Sequence, residues 1–214
     1  MLNDTANVRW PRTQLLSWIS DAQKQLAIQI PGASNKSISL QLVAGTRQSL
    51  PADAWILADI FRNMGTDGVT VGRAIRFVSR EMLDGINPSW HTDTASSVVL
   101  NFLYDPQDQT YFWVYPPSPG TNYVQVSYVF IPPELATEAG VITLSDVLEP
   151  LLLDYAMYRA MLVDAEYAPG IALAQVYFSG FNAAVTAYQH STTDDDPNQM
   201  LKKPFDPARG GSNG

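Results

Sequence analysis

Two spacings of apolar residues alternate along this chain. Over residues 13–30, Leu15, Leu16, Ile19, Ala22, Leu26 and Ile30 recur at three- and four-residue steps, with Asp21, Lys24 and Gln25 on the wet side. That stripe predicts an amphipathic helix, entered after Pro11 and stopped by Pro31-Gly32. The spacing then drops to two, as Ile38, Leu40 and Leu42 alternate with Ser39 and Gln41 in the manner of a half-buried strand. Ala44-Gly45-Thr46 reads as a turn, with residues 47–50 pairing back as the second arm of a hairpin. Residues 55–63 form a further strand, closed by Gly65-Thr66-Asp67-Gly68, and 72–78 a short one. Ser79 then caps a brief helix over 80–86, ended by Asn87-Pro88.

Three more segments, 98–104, 110–115 and 123–131, are rich in aromatic and β-branched residues. With turns at 105–108 and 116–120 they predict a three-stranded antiparallel meander whose edges need cover. A long helix follows over 145–167. Ala168-Pro169-Gly170 breaks it, and a last helix occupies 171–190. The expected fold is α+β: a helical bundle (an N-terminal helix at 11–32 plus a long C-terminal helical hairpin at 145–190) with an inserted antiparallel β-rich region at 38–131. The pattern assigns 1–193 to one domain and 194–214, polar and interrupted by prolines, to a flexible C-terminal arm.

The helix pair carries an unusual charge pattern. At 100° per residue, Asp146 and Asp164 project together, with Asp154 about 80°, Arg159 about 220° and Glu166 about 200° away. Between Glu166 and Asp194 there is no formal charge. On the last helix Ala174, Phe178, Phe181, Val185 and Tyr188 form one apolar row, and Leu173, Tyr177, Gly180 and Ala184 an adjacent one. One buried stripe does not accommodate this arrangement, whereas contacts on two or more sides do. Cover by sister subunits is therefore expected, since obligate homo-oligomer interfaces resemble a core cut in half. An ordinary central helix pair in a large core is the other reading.

Composition sharpens this. Hydrophobic residues make up 46% of the chain and charged residues 16%, against about 25% charged in an ordinary globular chain. The net charge of -8, from 21 acidic and 13 basic residues, argues against binding nucleic acid by phosphate neutralisation. It is compatible with a wall past which DNA slides. The absence of cysteine excludes disulfides, Cys-ligated zinc and thiol catalysis. No signal-peptide pattern opens the chain, and the 171–188 segment is interrupted by Gln175, Ser179, Asn182 and Thr186, so no membrane partner is expected.

Candidate chemistry is sparse. His91 and Asp93 could begin a metal site, but His190 is the only other histidine and no Glu-x-x-His spacing supports one. There is no Gly-x-Ser-x-Gly elbow and no P-loop, and the glycines of 65–72 precede a strand, as turn glycines do. Glu81 and Asp84 are too poor a carboxylate pair for glycoside cleavage, and Asp194-Asp195-Asp196 reads as a solvated tail. No catalytic residue, cofactor or metal is expected.

LQLVAGTRQSLP, DIFRNMGTDGVTVGRAIRFVSREMLDGINPSWH, VLNFLYDPQDQTYFWVYPP and ITLSDVLEPLLLDYAMYRAMLVDAEYAPGIALAQVYFSGF, in this order, resemble the head-to-tail adaptor (connector) proteins of tailed bacteriophages, above all short-tailed ones. The likeness covers about residues 10 to 190. It implies a structural virion protein at the head-tail junction, assembled in the host cytoplasm. Twelve subunits would form a ring under the portal protein, meet the tail nozzle or tube protein, and let DNA through the lumen without specific binding. By this resemblance Leu152, Tyr155, Arg159, Leu162, Leu173, Tyr177, Gly180, Phe181, Ala184 and Tyr188 fall at the subunit interface. Lys202, Lys203, Phe205 and Arg209 fall on a portal-docking arm, and Tyr104, Tyr111, Trp113 and Tyr115 face the tail. The chain lacks the long extra domain of some relatives, which sets their cell-wall hydrolysis in doubt here. A tail-associated peptidoglycan hydrolase and a tail-tube or capsid binding module are the alternatives.

Overall fold

A computed structural model describes residues 8–105, 107–163 and 168–194, which divide into two compact units. The first unit includes residues up to Ile30, the segment Glu134–Val141 and the chain from Ser145 onward. The second includes Pro31–Pro133 and Ile142–Leu144.

In the first unit, α1 (Arg12–Gln29) packs on α3 (Glu149–Leu162), which packs on α4 (Ala168–Asp194). Ala22 and Leu26 of the expected stripe are fully buried, joined by Trp18. The Trp10 indole N–H donates to the Ala160 carbonyl at 3.0 Å, closing a small cluster with Trp18 and Leu15. The 134–141 segment is tied to α1 where Leu135 N donates to Ser20 Oγ at 2.9 Å. Ion pairs Lys24–Glu134 and Arg12–Glu138 lie on its surface.

The second unit holds seven strands in two sheets. One has the order β1 (Asn35–Gln41), β7 (Tyr123–Phe130), β3 (Ala54–Asn63). The other runs β2 (Ala44–Ser49), β6 (Tyr111–Pro119), β5 (Asn101–Tyr104), β4 (Arg76–Phe77). Leu57 and Ile60 of β3, Val124 and Val126 of β7, Phe102 of β5, and Phe112 and Val114 of β6 bury together. The short helix α2 (Arg80–Ile86) has the expected cap, Ser79 Oγ accepting from Met82 N.

The class is α+β, but the expected layout, a helical bundle with a long C-terminal hairpin and a β insertion, is overturned. The β-rich core of the second unit dominates, because two sheets share one apolar interior while the helices enclose smaller clusters. The long helix over 145–167 is also not formed. A 3-10 turn at Asp146–Leu148 precedes α3, and Pro150 takes its first turn, where a missing N–H costs nothing. Residues 164–167 lie outside the described residues. Ala168-Pro169-Gly170 opens α4 rather than breaking a helix, Pro169 again sitting in a first turn.

The β1–β2 hairpin is corrected too. The two strands enter different sheets, β1 pairing with β7 and β2 with β6. At the bend between them the Gln48 side chain satisfies the backbone, accepting from Val43 N at 2.7 Å and donating to the Val43 and Gly45 carbonyls. Opposite, β6 and β7 change sheets in the same way and do not pair, so only the β5–β6 half of the expected meander forms. Leu42 N donates to the Asn122 carbonyl at 3.0 Å across this double corner.

Candidate functional site

On β6 the side chains alternate: Phe112 and Val114 enter the core, while Tyr111, Trp113 and Tyr115 stay half-buried on the other face. Against that face packs the 3-10 turn Trp90–Thr92. Trp90 is buried, its ring stacked on His91 at 3.6 Å and edge-on to Tyr115 at 6.4 Å. Its indole N–H donates to Asp84 Oδ1 at 2.8 Å. Beside it opens a cavity of about 240 Å³ lined by Trp90, Trp113, Tyr104 and Leu103, with Arg80, His91 and Asp105 as its charged or titratable members. Burial pushes the Tyr104 phenol up, so it stays protonated, and its oxygen accepts from Leu57 N at 3.4 Å. Two indoles and a phenol beside a few polar groups suit a side chain or short peptide segment.

Of the four aromatics expected to face the tail, Tyr104 and Trp113 line this cavity. Tyr115 borders it through Trp90 and donates its hydroxyl to Asp93 Oδ2 at 3.0 Å. Tyr111 is elsewhere, under the Arg47 guanidinium at 3.7 Å. Trp90 and Arg80 went unrecognised from sequence, because the lining comes from elements that only the fold brings together.

His91 and Asp93 take separate partners: His91 Nδ1 meets Thr46 Oγ1 at 2.9 Å, and Asp93 accepts from Asn87 and Tyr115. Among the described residues no group of three or more His, Asp or Glu could hold a metal ion. Asp84 serves Trp90 and Arg80. The 65–70 turn is locked by Asp67, which accepts from the Thr70 hydroxyl and from the backbone N–H of Thr70 and Val69. Those bonds hold its carboxyl at about 2.

The expected interface residues divide. Leu152, Tyr155 and Phe181 are buried within the first unit, Tyr155 meeting Phe181 edge-on at 5.4 Å. Arg159 pairs with Asp21 at 3.5 Å. Leu162, Leu173 and Gly180 are exposed, whereas Tyr177, Ala184 and Tyr188 are half-buried. Ile171, Val176 and Phe178 of α4 are exposed as well, Val176 at 65%. Thus α4 buries Ala174, Phe181 and Val185 and leaves a second, uncharged apolar side open. Lys202, Lys203, Phe205 and Arg209 lie outside the described residues. Among the described residues no helix is long and apolar enough to cross a membrane.

An aromatic cavity and an open apolar helix side are surfaces of the kind found on proteins that bind other proteins. The chain matches the SU10 adaptor protein family over residues 1–201, and it belongs to that family. It is therefore a phage adaptor, a structural component of the virion that contacts other virion proteins. No curated protein matches it.

Proposed function

We propose that this adaptor assembles as a ring at the head-tail junction, joining the portal protein to the tail nozzle or tube and surrounding the DNA exit channel. The observation that carries the reading is the open side of α4, where Ile171, Leu173, Val176 and Phe178 are exposed in a segment without formal charge. Covering one such side chain fully stabilises a contact by about 1.5–3 kcal/mol. A repeated head-to-tail contact of this kind closes into a ring when its rotation allows. The number twelve rests on the resemblance to phage connectors. The Trp90–Trp113 cavity serves as a tail-side contact, and residues 194–214, with Phe205 between Pro204 and Pro207, serve as the portal-docking arm. Twelve arms of modest individual affinity hold firmly together. The net charge of -8 favours DNA passage without adhesion.

Mass photometry and negative-stain imaging of the purified protein mixed with its portal test this. A ring of adaptor subunits seated on the portal is expected. A protein that stays monomeric and ignores the portal overturns the reading.

A further inference from the structure

In the described part of this acidic chain, most basic side chains are engaged. Arg12, Lys24, Lys36, Arg47, Arg80 and Arg159 each pair with a carboxylate. Arg62, Arg73 and Arg76 make no such pair and no side-chain hydrogen bond or ring contact. Two of these, Arg62 and Arg76, lie together. Arg62 of β3 bridges antiparallel to Ala74, so Arg62 and Ala74 share a face. The pleat returns Arg76 to the side of Ala74, because Ile75 between them points into the core. Arg73, one position before Ala74, alternates to the opposite side and is exposed there, its carbonyl accepting from Asn63 N at 2.9 Å. Phe77, 61% exposed, follows Arg76 on the opposite side and meets Phe102 edge-on at 5.5 Å.

Arginine is enriched at protein contacts. Arginine binds phosphate as well, so duplex DNA is the competing ligand. The same chain carries a complementary surface. At the start of α3, Asp146 and Glu149 are exposed and make no ion pair or hydrogen bond through their side chains. Pro150 and Leu153 continue that stripe at helical spacing, Leu153 being 60% exposed.

We infer that Arg62 and Arg76 of one copy receive Asp146 and Glu149 of a second copy. Leu153 supplies the apolar part of the contact. Two different patches meet, so the contact is heterologous and propagates from subunit to subunit. This rests on the ring proposed above and names the surfaces that would join its subunits. It places a β-unit edge against a helical stripe between copies, in addition to the open side of α4.

The absence of native cysteine makes a cross-linking test clean. Full-length Arg76→Cys and Glu149→Cys proteins, mixed with portal and oxidised, should give a disulfide-linked heterodimer at least fivefold above either homodimer. The mixture of Arg76→Cys with Lys36→Cys should give none. In parallel, R62E/R76E and D146R/E149R should each cut ring formation on the portal at least tenfold, and the four changes in one chain should restore it. No preferential heterodimer, or no rescue by the swap, overturns the inference. If wild-type protein but not R62E/R73E/R76E binds duplex DNA, with no heterodimer, the edge serves phosphate and the inference falls. Each of these results leaves the ring reading intact whenever wild-type rings still form on the portal. Wild-type protein that forms no rings refutes the ring reading and, with it, the inference.

Discussion

The side-chain amide of Asn63 pairs with the backbone of Val99 in both directions: Nδ2 donates to the Val99 carbonyl, and Oδ1 accepts from Val99 N, each at 2.8 Å. Nδ2 also donates to the Arg73 carbonyl at 2.9 Å. One buried side chain thus stands in for a strand neighbour and joins β3 to the segment before β5 and to the arginine edge. Asn63→Leu leaves the Val99 N–H and carbonyl buried without these partners, each worth about 1–3 kcal/mol when unsatisfied, while the Arg73 carbonyl keeps the Asn63 backbone N–H. We expect a loss of about 3 kcal/mol in urea-monitored unfolding, with Asn63→Asp nearly as harmful because a carboxylate cannot donate.

Gly120 marks the corner at which β6 turns into β7. Its φ is 87°, and a Cβ there would stand 3.1 Å from the Ala44 backbone nitrogen. Gly120→Ala combines left-handed strain with that collision and should cost about 1–3 kcal/mol, read as a lower unfolding midpoint.

Trp90→Phe keeps most of the buried ring but removes the N–H that Asp84 accepts. The expected destabilisation is about 1–2 kcal/mol. The cavity should also lose one wall of its polar lock, so weaker binding of the tail component should accompany the stability loss.

Asp67 introduces a pH dependence. Its carboxyl is lowered from 3.8 to about 2 by the Thr70 hydroxyl and the Thr70 and Val69 N–H groups. A depressed folded-state pKa means stability fully present above about 3.8 and lost as the pH falls through about 2. Carbon-detected NMR titration should place the Asp67 midpoint below those of the exposed carboxylates, and Asp67→Ala should flatten the stability curve in that window.

Val176→Glu on α4 changes an exposed side chain, so the unfolding midpoint should shift by less than about 0.5 kcal/mol equivalent. Subunit assembly on the portal, followed by mass photometry, should fall sharply. Phe181→Glu is the contrast: its ring is wholly buried against Tyr155, and the chain should fail to fold.

Much was legible from local pattern. The spacing of Ala22 and Leu26 marked α1, Ser79 and Asn87 bracketed α2, and the alternation around Phe112 and Val114 marked β6. These features depend on residues a few positions apart, so any chain segment carries them by itself. Boundaries failed where a distant group competed for the backbone. Val99 left the strand expected at 98–104 because Asn63, 36 residues earlier, took both its N–H and its carbonyl.

By itself the sequence determined the element types, the uncharged stretch after Glu166 and the likeness to phage adaptors, since each is written in neighbouring residues or their order. Tertiary structure alone decided which strands share a sheet. A strand's pattern states which face is apolar but not which partner satisfies its edge, and Gln48 and Asn122 direct β1–β2 and β6–β7 round a corner instead of into hairpins. It also decided that Arg62 and Arg76 stand together unpaired and that Trp90 meets Trp113, because each pairing joins elements remote along the chain.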